Sequence, residues 1–293
     1  MKGLASIILV LFGSALLAGG TAAQDERIGV TPGSPAGLAL DLFSNQYDVR
    51  QSAIGRFIDR SNSSDAAALI MALRFARDPG LFRALEAITG AANSSSWNEW
   101  MLWQEAHPEI APFEGFDAFK ANIFARIDPN FHLFLQPVVA HEIRLEEIVW
   151  GGVIKDRIPA LVNPAHLGAD EATYLEDGEQ VFGVAINGDV RAYPLRIMDW
   201  HEMFNDVVGG VPVALAYCTL CGPDILYDAR VDGRDDPFVF GSSGFLYRSN
   251  KLMYDQATHS LWNQFTGRPV VGPLTGSEIE LKILPVAITT WAK

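Results

Sequence analysis

Val181–Leu195 reads VFGVAINGDVRAYPL. Two apolar-rich runs flank Asn187-Gly188, a dipeptide that readily takes the positive φ angles of a two-residue hairpin turn. The stretch therefore predicts a β-hairpin, and the same grammar continues downstream. VPVALAYC (Val211–Cys218) is a β-rich run, and Ile225–Asp255 repeats short apolar runs around Asp232-Gly233 and the glycines Gly241 and Gly244. Residues 141–293 are thus expected to form a compact, mostly antiparallel β domain, barrel- or sandwich-like, with a few short helices.

Upstream the periodicity is helical. Asp48–Asn62 (DVRQSAIGRFIDRSN) places Val49, Ile54, Phe57 and Ile58 near one face, and Ser63–Arg77 (SSDAAALIMALRFAR) follows with Ser64 or Asp65 as its cap. Asp78-Pro79-Gly80 punctuates before a further amphipathic helix ending near Gly90. Trp97, Trp100 and Trp103 recur every third residue along one helix side, a pattern that serves packing. The fold class is α+β: a helical N-terminal module over residues 24–140, resembling a degenerate helical-repeat array without a clean period, precedes the β domain. Packing or contact with a protein partner is its expected role. His107, His132 and His141 have no partner pattern and receive no role.

The chain opens MKGLASIILVLFGSALLAGGTAAQDE, in which Lys2, an apolar run and small residues precede polar sequence. That order predicts a signal peptide over residues 1–23, hence export to a periplasmic or extracellular setting. An uncleaved membrane anchor is the alternative, and no later segment is apolar enough to span a bilayer. The chain carries 22 basic and 35 acidic residues, a formal net charge of −13. This balance argues against nucleic acid and offers no polybasic patch to anionic lipid. Nor is there a nucleotide or flavin signature.

Chemistry concentrates in AYCTLCGPDILYD (Ala216–Asp228), which holds both cysteines of the chain. A strand ending at Cys218 and a turn closed by Gly222-Pro223 aim both sulfurs one way. Disulfide clip, redox dithiol and half of a metal site all fit that spacing. No second C-x-x-C exists, so a metal would recruit His201, with Met253 an optional thioether ligand; His259 is a weaker candidate. Thiolate plus imidazole favours Cu(I) or Zn(II) over hard cations. IMDWHEMFNDVVGG (Ile197–Gly210) predicts a helix capped by Asp199 with Glu202 three residues on, bringing His201, Glu202 and Asn205 together. Asn205 stands where an H-E-x-x-H zinc hydrolase needs its second histidine, so the match to that chemistry fails at the second ligand. Glu202 or Asp255 would orient His201, and Asn205 would lie close by. Ser242 and Ser243 lack the spacing of a serine nucleophile and predict a turn where backbone approaches another group, such as a ligand.

In order, EEIVWGGV, IPAL, AYPLRIMDWHEMFND, GGVPVALAYCTLCG, FGSSGFLYRSNKLMYD, SLWNQFTG and GPLTG make the region from about Glu146 onward resemble the exported prokaryotic domain-of-unknown-function family 3179. The resemblance implies shared residues at Trp200-His201-Glu202, Asn205-Asp206, Tyr217, Cys218, Cys221, Gly222, Gly244 and Met253-Tyr254-Asp255, and no established activity. Sequences of this type run on past ILPVAITTWAK, so a shortened domain with an unpaired sheet edge is expected. The function read first is binding of Cu(I) or zinc for sequestration, delivery or sensing. The alternatives are a thiol-dependent oxidoreductase or hydrolase using a cysteine with His201, and an envelope protein with an inert disulfide.

Overall fold

The computed structural model describes residues 28–91 and 96–293. The signal-peptide reading, at residues 1–23, lies outside the described residues. Six helices come first: α1 (Pro35–Asp41), α2 (Tyr47–Arg60), α3 (Ala66–Phe75), α4 (Pro79–Thr89), α5 (Trp97–Ala106) and α6 (Phe116–Ala125). Local chemistry sets their ends. Asp78 accepts from Gly80 N at 2.8 Å ahead of Pro79, and Gly90 leaves α4 at φ +71°. Ser96 and Glu99 form a capping box on α5. Before α3, by contrast, Asn62 caps a short 3₁₀ turn, while Asp65 is buried and bonded to Arg60 Nε at 3.0 Å instead of capping. Trp100 is fully buried and meets Trp103 edge-on, so the tryptophan stripe is packing.

The strands are β1 (Ile148–Trp150), β2 (Leu161–Val162), β3 (Gln180–Ile186), β4 (Asp189–Pro194), then helix α7 (Leu195–His201), β5 (Met203–Val208), β6 (Val211–Tyr217), β7 (Asp224–Asp228), β8 (Phe240–Tyr247), β9 (Asn250–Asp255), β10 (Leu261–Asn263), β11 (Arg268–Val271), β12 (Ile283–Leu284) and β13 (Ala287–Thr290). They form three open sheets with orders β1-β8-β9-β10-β11, β12-β7-β6-β5-β2 and β13-β3-β4. Every pairing is antiparallel except β2 with β5. No sheet closes into a barrel; the sheets stack as a sandwich.

Alternation along the strands explains the stacking. Leu252 and Tyr254 of β9, with Phe245 of β8, share one core with Phe119, Phe124 and Phe131 of the helical layer. Met253 faces the other way, into a core with Phe240, Trp262, Met203 and Ala216 between the first two sheets. Phe204, Leu215 and Leu226 then pack on Phe182, Tyr193 and Met198 of the third sheet and α7. Lys120 of α6 is buried in the first core and donates to the Ile148 carbonyl at 2.5 Å; burial pushes its ammonium down to about 7.

Asn187-Gly188 forms the expected hairpin turn, with φ of +51° and +84°. The helix expected over Ile197–Gly210 is shorter: α7 stops at His201, Glu202 turns left-handed at φ +57°, and β5 begins at Met203. Pairing wins over local capping here, because Val207-Val208 meet β6 across a Gly209-Gly210 turn. A side chain at Gly209 would put its Cβ 2.2 Å from the Ile186 carbonyl oxygen, so only glycine lets the two hairpins cross. Ser242 and Ser243 are buried inside β8 at a register shift, not in a turn. Gly244 there has φ +84°, and the group that approaches it is the chain's own Val153 carbonyl, 2.5 Å from where a Cβ would stand.

Candidate functional site

β6 runs out at Tyr217, and the next five residues close a tight loop. Gly222 N donates to the Cys218 carbonyl at 2.7 Å and Cys218 N to the Pro223 carbonyl at 3.1 Å, with Gly222 at φ +86°. Buried Gln264 holds both ends of the loop, its Nε2 donating to the Ala216 carbonyl at 2.9 Å and the Pro223 carbonyl at 3.1 Å. Cys218 and Cys221 form a disulfide across this loop, with Cα atoms 5.4 Å apart. The sulfurs are not equivalent: Cys218 is 1% exposed, whereas Cys221 faces solvent beside exposed Leu220.

Beneath the loop lies a buried charge pair. Lys251 Nζ bonds Glu202 Oε2, and both side chains are less than one-tenth exposed. Burial pushes the Lys251 ammonium down, and Glu202 partly offsets this. The other Glu202 oxygen accepts from Thr219 Oγ1 at 2.8 Å, inside the C-x-x-C loop, while the Glu202 carbonyl accepts from Tyr217 N at 2.8 Å. The tip of the β8–β9 hairpin closes the site. Arg248-Ser249 turn with φ of +46° and +63° without glycine, and the Ser249 carbonyl lies 2.9 Å from Cys221 Sγ. Such positions persist where surrounding structure holds them, and Arg248 is held by fully buried Glu147. Three carboxylates, Asp199, Asp224 and Glu202, join burial in raising the Tyr217 phenol, with burial the largest cause.

The remaining candidates disperse. His201 ends α7 with Nδ1 2.8 Å from the Pro159 carbonyl; that acceptor requires Nδ1–H and leaves Nε2 with a lone pair. Asn205 is a clip between sheets, exchanging bonds with Phe240 N at 2.7 Å and the Phe240 carbonyl at 2.9 Å. Asp255 is fully buried and accepts from Thr258 N, Thr258 Oγ1 and Trp262 Nε1 at 2.6, 2.7 and 2.9 Å. Met253 is fully buried in the intersheet core, and His259 stacks on Tyr254. Among the described residues no three His, Cys, Asp or Glu side chains gather as a metal-holding group. Lys251, Thr219, Ser249 and Gln264 complete the site without any prior signal in spacing, since each acts only through a partner distant in sequence.

Fold and site define an α+β protein whose stacked sheets carry a C-x-x-C disulfide at a strand end over a buried ion pair. A family model described as "Protein of unknown function (DUF3179)" matches residues 155–293, so this part of the chain is similar to that family. No curated protein and no solved structure matches the chain. No helix among the described residues is long and apolar enough to cross a membrane.

Proposed function

We propose that the protein is an exported thiol–disulfide exchange protein in which Cys221 is the sulfur attacked and Cys218 the leaving and resolving thiol. The observation that carries this reading is the unequal burial of two bonded sulfurs in one hydrogen-bonded loop. A partner thiolate can reach only the Cys221 sulfur, and its attack forms a mixed disulfide while the Cys218–Cys221 bond breaks and Cys218 leaves as a thiolate. The partner's second thiolate then attacks its own sulfur in that mixed disulfide and releases Cys221. Two electrons pass to the protein, the partner dithiol becomes a disulfide, and its two protons end on the protein thiols. Every step runs backward with a partner disulfide. Lys251, beside the loop, supplies positive charge next to the carboxylate that holds Thr219. The leader-like opening supports an oxidising compartment, where such a pair has partners.

The test is trapping. Cys218→Ser leaves Cys221 without its resolving thiol and is expected to accumulate a mixed disulfide with a dithiol-derived peptide disulfide; Cys221→Ser is not. Equal trapping by both variants, or by neither, overturns the assignment.

His201 favours a second reading for the reduced protein. With Nδ1–H given to Pro159, Nε2 has the lone pair a metal-bound imidazole uses, and Cys218, Cys221 and His201 would supply a soft donor set for Cu(I) or zinc. The described disulfide withholds both thiolates, so this reading requires reduction first. Elemental analysis of the reduced chain tests it: near-stoichiometric metal lost in both Cys218→Ser and His201→Ala supports it, and metal retained by His201→Ala removes His201 from the set.

A further inference from the structure

Across β5 from the disulfide, a cleft of about 740 Å³ opens between residues 164–175, β4 and α7. Leu167, Leu175, Val190, Ile197, Met198 and Trp291 make its apolar wall. One end is polar. His166 Nε2 is 2.7 Å from Asp206 Oδ2, and the Tyr193 hydroxyl donates to the same oxygen at 2.6 Å. Asp206 Oδ1 accepts from Val207 N at 2.8 Å. Asp206 and Tyr193 are buried, whereas the His166 side chain is 29% exposed and lines the cleft.

Hydrogen-bond bookkeeping decides what this end can recognise. Asp206 Oδ2 is an acceptor, so His166 carries a proton on Nε2, and in its neutral form the ring presents Nδ1 as a lone pair. No described residue bonds that nitrogen. Tyr193 is held as a phenol by burial and by Asp206, so it continues to donate. Arg191 is not free for an anion: its Nε and Nη2 go to Asp189 at 2.9 and 3.0 Å, and Nη1 lies 3.8 Å from Asp206. With Asp189 and Asp206 against one guanidinium, the end repels carboxylates and accepts a neutral donor.

We propose that the cleft binds a neutral amphipathic molecule, its apolar body on the Leu175–Ile197–Trp291 wall and its hydroxyl donating to His166 Nδ1. The volume suits a ligand of drug-like size. The proposal is independent of the disulfide chemistry.

Calorimetric titration of the full chain with para-hexylphenol, its methyl ether and decanoate tests it. The phenol is expected to bind, and the ether, which cannot donate, to bind about tenfold more weakly, the cost of one unpaired buried acceptor. His166→Leu is expected to bind phenol and ether alike. Equal affinity of the unaltered chain for phenol and ether, tighter binding of decanoate, or no binding of any of the three overturns the proposal. The ether comparison needs no variant, so a folding defect in His166→Leu does not rescue it.

Discussion

Glu202 and Asp206 both place a carboxylate in the interior beside β5, one toward the first sheet and one toward the third, yet their surroundings differ. Glu202 is closed around a cation, Lys251, with its second oxygen on Thr219. Asp206 meets its cation only at longer range, Arg191 Nη1 at 3.8 Å, and that guanidinium is bonded to Asp189; its close partners are the donors of Tyr193 and Val207 and a histidine that faces a cleft. The two side chains are about equally buried, so what differs is the partner: a close counter-charge holds the first, and oriented hydrogen bonds chiefly hold the second. The first arrangement makes a rigid platform for the C-x-x-C loop; the second leaves one ring nitrogen to the outside.

The contrast breaks most visibly at the closed pair. Lys251→Met strands the Glu202 charge and is expected to cost about 3–5 kcal/mol in denaturant unfolding, whereas the Lys251→Met, Glu202→Met double variant recovers most of it. A small loss in the single variant would show that Glu202 reaches water after all. Next in size is reduction of the disulfide, which closes a loop of sequence separation three. Loop-closure entropy for so short a loop gives roughly 2 kcal/mol or less, read as the difference in unfolding midpoint with and without reductant.

pH sharpens the comparison. Lys120 and Lys251 have folded values below the ordinary lysine value of 10.5, Lys120 at about 7. Between its folded value and 10.5 each lysine binds more protons in the unfolded chain than in the folded one, so stability rises with pH there, for Lys120 from about 7, by at most about 1.4 kcal/mol per pH unit. Below the folded values the penalty is present in full. Lys120→Met is expected to remove the part of the slope that begins near 7; an unchanged slope would contradict its burial. The smallest effect is expected on the open side. Asp206→Asn keeps an acceptor for Tyr193 and should cost about 1 kcal/mol, while changing the His166 ring tautomer seen by nitrogen NMR.

How much of this was legible before folding differs by scale. The hairpin at Asn187-Gly188, the break at Asp78-Pro79-Gly80, the helix stop at Gly90, the tryptophan packing stripe and the change from helical to β grammar are local, and each stands in the structure, whereas the cap expected at Ser64 or Asp65 does not. Ile197–Gly210 misled because capping signals at Asp199 and Glu202 are real for an isolated segment, but β6 offers that segment a full ladder of bonds. The cysteine pair was evident; its partners were not. Lys251 reads as a surface residue in a turn-rich stretch, and only the fold places it on the inward face of β9 with Met253 and Asp255. His166 and Asp206 are forty residues apart and share no motif.

Residue order by itself determined the class of most elements, the α+β plan and the presence of a cysteine pair, because turn φ angles, periodicity and C-x-x-C spacing are properties of neighbours along the chain. Tertiary structure alone decided which cysteine is buried, which carboxylate is bonded to a buried lysine and which histidine nitrogen is left open. Those outcomes depend on desolvation and on hydrogen-bond partners brought together by sheet stacking, and neither quantity exists until distant strands share a core.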